Sequence, residues 1–297
     1  MPAQSFPPAT ALRRFNRAWS QRVGVLSESF LGLGRPLGPT RLLHEIGLEG
    51  ATVIDLRARL GLDSGHLSRQ LSSLVDDGLV RLEPDATDRR RRIATLTARG
   101  RREWERLEHR SEELAKRLVA PLSPRQRERL TEALATAELL LRAATADMAT
   151  VDPASSLAQA AMARYVDELD QRFPGGFDPG DTSTTDAVTM SAPHGVFLVA
   201  ASDGSPIACG GVQSLGDGVA EVKRMWVDPA WRGAGLGSRM LALLEEEGRR
   251  LGHHTMRLDT HGVLTDAAVL YLRAGYRPIA RYNHNPYAEA WFEKSLA

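Results

Sequence analysis

Apolar positions in the first half of the chain recur every three to four residues, in blocks punctuated by glycine and proline. Leu12, Phe15, Trp19, Val23, Leu26 and Phe30 predict a helix from about Ala9 to Leu33, broken by Arg35-Pro36-Leu37-Gly38-Pro39. Thr40 is placed to cap a second helix over 41–47, and Thr52 a third that reaches Leu60. Gly61 ends the third and Ser64 opens a fourth running to Asp77, so a tight turn joins two short helices. Leu67, Leu71 and Leu74, at i, i+4 and i+7, turn one face of the fourth helix inward and leave Ser64, His66, Ser68, Arg69 and Ser72 outside. Residues 78–82 and 92–96 read as two short strands around a basic tip. Two long helices follow, over 97–119 and 125–146. On the second, Leu130, Leu134, Leu139 and Leu141 fit either a seam between two chains or an internal core.

The second half changes rhythm. Thr150-Val151-Asp152-Pro153 favours no helix and marks a boundary, after which helical spacing returns over 157–169. Arg172 to Gly180 is a Pro/Gly-rich loop carrying Phe173 and Phe177, which either lines a site or merely connects. Three strands, 195–201, 207–212 and 219–227, are separated by turns at Asp203-Gly204 and Asp217-Gly218. A helix (238–251), a strand (255–259), a helix (267–274) and strands over 277–282 and 289–296 complete the order. The expected plan is a mainly α domain over 1–148, a linker over 149–156 and an α/β domain with a mixed sheet over 157–297.

At 297 residues the chain is long enough for two cores. Its net charge is +1, but residues 1–150 carry 25 Lys+Arg against 19 Asp+Glu (+6), and residues 151–297 carry 13 against 18 (−5). That asymmetry points to a nucleic-acid-facing half and a half with another task. Cys209 is the only cysteine, which excludes an intrachain disulfide, and its apolar setting fits a small core residue better than a nucleophile. No run reaches the ~18 apolar residues of a membrane span, and Met1 to Trp19 has no apolar signal core. A cytoplasmic protein with no membrane partner is expected. The histidines lack metal-ligand spacing, so no metal site is expected.

The outward residues Ser64, His66, Ser68, Arg69 and Ser72 are small or hydrogen-bonding groups suited to a major-groove floor, or to an ordinary solvated face. At the hairpin tip, Arg89, Arg90 and Arg91 can enter a minor groove or clamp phosphates, and Asp88 can pair with one of them. This helix-turn-helix with its Asp-Arg-Arg wing resembles the MarR family of transcriptional regulators over roughly residues 10–145. The resemblance implies a winged helix-turn-helix, a homodimer built by the terminal helices, and a double-stranded DNA operator as partner.

Arg232-Gly233-Ala234-Gly235-Leu236-Gly237 follows the strand 219–227 and precedes a helix. Such a turn brings unpaired N–H groups to a helix N-terminus, where an anion such as a pyrophosphate is favoured. Further on come Leu270-Tyr271-Leu272-Arg273-Ala274-Gly275-Tyr276 and Trp291-Phe292-Glu293-Lys294. In this order the three resemble the GNAT family of N-acetyltransferases. The resemblance implies a GNAT-type mixed sheet, acetyl-CoA as cofactor, and coenzyme contacts from Met225, Trp226, Val227, Arg232 to Ser238, and Arg273. It also places Tyr271 at the family's thiolate-protonating tyrosine, where a buried structural role is the alternative. Glu221 is the acidic side chain best placed to assist deprotonation of an amine, or else an ion-pair partner of Lys223 or Arg224. His261 stands where many relatives have Asn. Phe173, Phe177, His261, Tyr282, Asn283 and Asn285 are the candidate pocket for a small amine or amino-acid-like acceptor, the alternative for the loop 281–287 being a turn stabilised by its Asn side chains. The functional expectation is a DNA-binding regulator fused to an acetyltransferase. The alternative is a regulator that senses acetyl-CoA or a metabolite without turnover.

Overall fold

The computed structural model describes residues 7–85, 91–180 and 188–296, and the chain forms two compact units, Met1–Arg129 and Leu130–Ala297. The first unit opens with α1 (Pro8–Val23), which stops well before Leu33 because Gly24 adopts a left-handed C-cap at φ 69°. Next, α2 (Leu37–Ile46) starts earlier than Thr40. Gly38 and Pro39 fit its first turn, where a missing N–H costs nothing, and Thr40 Oγ1 donates back to the Pro36 carbonyl at 3.0 Å instead of capping. After β1 (Ala51–Thr52) comes α3 (Val53–Leu60), with Thr52 Oγ1 accepting from the Asp55 N–H at 3.1 Å and Gly61 left-handed at its end. Asp63 caps α4 (Ser64–Asp76) by accepting from the His66 N–H at 2.9 Å.

In this unit β2 (Val80–Pro84) and β3 (Arg92–Leu96) form an antiparallel hairpin, and β1 pairs with β3 on the other side. Thr97 caps α5 (Ala98–Val119). Leu42, Leu43 and Ile46 of α2 meet Leu56 of α3, Leu67, Leu71 and Leu74 of α4, and Ala94 and Leu96 of β3 in one core. This is a helical winged-helix region with a small hairpin sheet.

The second unit is built on seven strands in the order β4-β5-β6-β7-β8-β10-β9. They are β4 (Asp147–Thr150), β5 (Gly195–Ser202), β6 (Ser205–Gly216), β7 (Val219–Val227), β8 (Thr255–Thr260), β9 (Arg277–Ile279) and β10 (Ala290–Ser295). Every pairing is antiparallel except β7 with β8. On one face α7 (Ser156–Arg172) sets Ala158 and Ala161 against Phe197, Val199 and Cys209. On the other, α8 (Leu236–Arg250) sets Met240, Leu241 and Leu244 against Ala208, Val212 and Ala220. Ala143 of α6 (Pro124–Thr145) and Ala146, just beyond its end, join that second cluster. Between β8 and β9 lies α9 (Thr265–Arg273).

Two strands depart from the sequence expectation. β4 is unexpected: Asp147 to Thr150 lie between the helix predicted to end at 146 and the boundary stretch that begins at Thr150, and they are recruited by pairing with β5 rather than by intrinsic preference. β9 stops at Ile279, because the polar residues beyond it are drawn to buried carboxylates instead of a strand partner.

Two irregularities of β7 open a gap in the sheet. Its pairing with β8 ends at Glu221↔Arg257, so among the described residues Val222 to Val227 run on with no strand partner on that side. Opposite β6 the register passes from Gly211↔Lys223 to Cys209↔Trp226, leaving Arg224 and Met225 against the single Gly210. Arg224 takes φ 56° in this bulge, and bulges bend a strand and re-aim its side chains.

Candidate functional site

The gap opened by β7 is a cleft of about 520 Å³. One wall is a helical stripe of α7, Tyr165, Glu168, Leu169 and Arg172, at i, i+3, i+4 and i+7. Opposite are Met225 to Val227 of β7, the glycine loop with the start of α8, and Leu270, Tyr271 and Arg273 of α9. Gly233 and Gly235 have φ 78° and 82°, and a Cβ added to either would meet nothing within 4 Å. Their backbone therefore faces open space in a conformation that side chains disfavour. The hydrogen-bond ladder of α8 begins with Arg239 N–H to the Gly235 carbonyl, and among the described residues no side chain caps the N–H groups of Leu236, Gly237 and Ser238 before it. A row of open donors at a dipole's positive end, beside an unpartnered strand edge, fits a pyrophosphate followed by an extended amide-bearing arm.

The sequence-predicted coenzyme residues converge here, with two qualifications. Ala234 does not line the cleft and packs against the core instead. The Arg232 guanidinium is engaged by Glu168, and its Nε donates to the Val227 carbonyl at 3.2 Å. Glu168 also accepts from Trp226 Nε1 at 2.9 Å and from Arg172 at 3.0 Å. Burial opposes ionisation of Glu168, but the hydrogen bonds from Arg232, Arg172 and Trp226 outweigh it and hold the carboxyl below its ordinary range. Arg172 in turn donates to the Val263 carbonyl at 3.0 Å, so one carboxylate ties α7 to β7, the glycine loop and the loop after β8.

A second cavity, about 630 Å³, shares Tyr165, Leu169, Met225, Leu264, Ala267 and Tyr271 with the first. The Tyr271 ring is buried, 6.0 Å from the rings of Tyr276 and Phe292, and its hydroxyl makes no hydrogen bond among the described residues. Burial pushes its phenol pKa up, so it is protonated across the neutral range.

The far side of this cavity has an aromatic wall and a polar wall. Phe173 stacks on His261 at 4.3 Å, and Phe173, Phe177 and Tyr287 contact one another at 4.9 to 5.7 Å between ring centres. His261 Nδ1 accepts from the Val263 N–H at 3.1 Å. On the polar wall Glu221, 2% exposed, accepts from Gln213 and from Tyr282 Oη at 2.7 Å each and from Asn283 Nδ2 at 3.0 Å, with Lys223 Nζ at 3.2 Å. Asn283 Nδ2 also donates to Asp259 at 2.5 Å, and Asn285 Nδ2 donates to the other oxygen of Asp259 at 2.9 Å. All six predicted acceptor residues thus gather in one region, but Tyr282 does so from behind, through Glu221 rather than on the cavity surface. Burial, then the Glu221 charge, pushes the Tyr282 phenol pKa up. Cys209 is fully buried, and burial likewise pushes its thiol up, which fits a core residue.

Sequence reasoning missed Glu168, Arg172, Tyr165, Gln213 and Asp259. Only the α7 stripe left a signal: two charged residues at helical spacing on a face that also carries Tyr165 and Leu169.

In the first unit Ser64, His66, Ser68, Arg69 and Ser72 are all exposed on α4, with Leu67, Leu71 and Leu74 buried behind them. Arg91 is exposed at the edge of the hairpin, whereas Asp88, Arg89 and Arg90 lie outside the described residues.

A sheet that splays beside a glycine loop, with cavities meeting across the gap, defines an acyl-CoA-dependent transferase fold. The acetyltransferase (GNAT) family description matches residues 162–276, and the MarR family description matches residues 31–91. An IAA acetyltransferase of Azospirillum brasilense is 32% identical over 143 residues, which cover 46% of this chain and 92% of that protein. An uncharacterised N-acetyltransferase of Schizosaccharomyces pombe is 36% identical over 96 residues, 32% of this chain and 59% of that one. Wild-type MarR from E. coli, in its apo form, superposes with a TM-score of 0.39 and 23% identity over 45% of this chain and 98% of its own. The chain belongs to the GNAT family, and it joins a GNAT N-acetyltransferase domain to a MarR-family helix-turn-helix domain. GNAT proteins use acyl-CoA, and a MarR domain implies binding to DNA. Among the described residues no helix is long and apolar enough to cross a membrane.

Proposed function

We propose that the second unit transfers the acetyl group of acetyl-CoA to the nitrogen of a small amine or amino-acid-like metabolite. We further propose that the first unit binds a double-stranded operator as part of a cytoplasmic homodimer. The observation that carries the catalytic reading is the meeting of two cavities at Tyr271, one lined by backbone donors and one by rings and carboxylates.

Acetyl-CoA, when bound, supplies an acetyl group activated as a thioester. The N–H groups from Gly233 to Ser238 hold its pyrophosphate, and the open edge of β7 at Met225 to Val227 takes the pantetheine arm like an added strand. N–H groups on that edge polarise the thioester carbonyl. The acceptor nitrogen, arriving from the second cavity as the free base, forms the N–C bond as the C–S bond breaks. Tyr271 gives its proton to the departing sulfur and recovers one from water, while the surplus proton on nitrogen passes to water. Glu221 contributes its buried negative charge beside the nitrogen that becomes cationic. Its acceptor sites are already engaged by Gln213, Tyr282, Asn283 and Lys223.

For the first unit, exposed Ser64, His66, Ser68, Arg69 and Ser72 read base edges, and Arg89 to Arg91 contact the backbone. Exposed Leu12, Phe15 and Trp19 on α1 support the dimer, since rings and leucines left outward on one helix seek a partner.

Release of CoA thiol from acetyl-CoA, measured with the full chain against a panel of amines and amino acids, tests the enzyme. Turnover with at least one acceptor is expected. No release with any acceptor, while calorimetry still shows acetyl-CoA bound, would replace the enzyme by a regulator that senses acetyl-CoA. The fully engaged Glu221 is the one observation that favours that second reading.

A further inference from the structure

Resting on that reading of the second cavity, we infer that the acceptor is a monoamine carrying a planar aromatic ring. Phe173, Phe177, Tyr287 and His261 come from three separate segments, yet they form one continuous wall of rings. Phe173 is buried at 7% exposure and backs the wall, whereas Phe177, Tyr287 and His261 are half-buried and belong to neither core cluster of the unit. Half-buried rings that face a cavity of about 630 Å³ are a surface for a ligand of like chemistry. Tyr287 is also fixed rather than loose: its Oη accepts from the Asp178 N–H at 3.0 Å, and its N–H donates to Asn285 Oδ1 at 3.1 Å. A preformed wall of this kind favours a flat partner that stacks or packs edge-on without ordering cost.

The rest of the lining selects for a single amine. Lys223 and Arg224 both line the cavity, and Arg224 sits 5.8 Å from the Tyr165 ring at the passage to the first cleft. A polyamine or an aminoglycoside would carry further ammonium groups past these cations. Three carboxylates line the cavity, and all are engaged: Glu221 and Asp259 are bridged by Asn283 and held by Tyr282 and Asn285, and Asp178 accepts from the Gly180 N–H at 2.8 Å. The ring therefore rests on Phe177 and Tyr287 while its lone amine reaches toward Tyr271.

Initial rates with the full chain, acetyl-CoA and three acceptors decide this: 2-phenylethylamine, the ring-free hexylamine of similar size, and spermidine. The expected result is a kcat/KM about 3- to 10-fold higher for 2-phenylethylamine than for hexylamine, with spermidine lowest. Phe177→Leu keeps the apolar bulk and is expected to bring the ring-to-chain ratio close to one, leaving the KM for acetyl-CoA unchanged. Tyr287→Leu provides a second, loop-borne variant with the same expectation. Equal rates for ring and chain, or a preference for spermidine, would overturn the inference and leave acetyl transfer standing. If no amine is turned over, the enzyme reading fails, and calorimetric titration of the CoA-bound protein decides the inference by itself. Binding of 2-phenylethylamine that Phe177→Leu weakens sustains it, and absence of binding overturns it.

Discussion

The two cavities that meet at Tyr271 are built from different materials. The cleft beside α8 is made largely of backbone: two left-handed glycines, an uncapped helix start and a strand edge without a partner. The cavity beyond it is made of side chains, with rings on one wall and a bridged pair of carboxylates on the other. Backbone donors can hold a ligand common to a whole family, because they depend on glycine placement and strand geometry rather than on side-chain identity. Rings and carboxylates can be exchanged residue by residue, so specificity for the acceptor resides there.

That contrast is broken most severely at the shared phenol. Tyr271→Phe is expected to lower kcat by about 10²- to 10⁴-fold while leaving binding of acetyl-CoA, read by calorimetry, near the wild-type value. Next in size is Glu168→Gln, which loosens the side-chain brace behind the backbone cleft. A few-fold rise in the KM for acetyl-CoA, a lower thermal midpoint and no change in the acceptor KM are expected. Glu168 is held below its ordinary range in the folded protein, so its stabilisation is complete above the unfolded carboxyl value of about 4.3 and fades as pH falls through the lower folded value. The gap in thermal midpoint between wild type and Glu168→Gln should therefore shrink on acidification; a gap that widens would contradict the brace.

Tyr282→Phe removes one donor from buried Glu221 and should move only the acceptor KM, by a few-fold, corresponding to about 0.5–1.5 kcal/mol. Arg91→Ala should leave both KM values unaltered. In DNA-binding titrations it should reduce the salt dependence by about one unit of slope, which a sequence-independent phosphate contact requires.

The same contrast decides what the sequence discloses. The backbone cleft is legible in Arg232 to Gly237 and in Leu270 to Tyr276, because left-handed turns restrict residue type at fixed spacing. The helix-turn-helix is legible for a related reason: Thr52, Gly61 and the leucines at 67, 71 and 74 each answer a local rule. Phe173, Phe177 and the loop around Asn283 stand out only as unusual loops, and their assembly into one wall needs the fold. Glu168 and Arg232 are too far apart in the chain for spacing to connect them. Nor does anything local announce the left-handed Arg224 or the strand β4, which are imposed by the pairing of β7 with β6 and of β4 with β5.

The most direct test of this division is a two-substrate kinetic comparison of Gly235→Ala with Phe177→Leu. Gly235→Ala forces a side chain into φ 82° at a cost of about 1–2 kcal/mol, so the KM for acetyl-CoA should rise roughly tenfold while the acceptor KM holds. Phe177→Leu should do the reverse. If both variants shift both constants together, the two cavities are not separate coenzyme and acceptor sites.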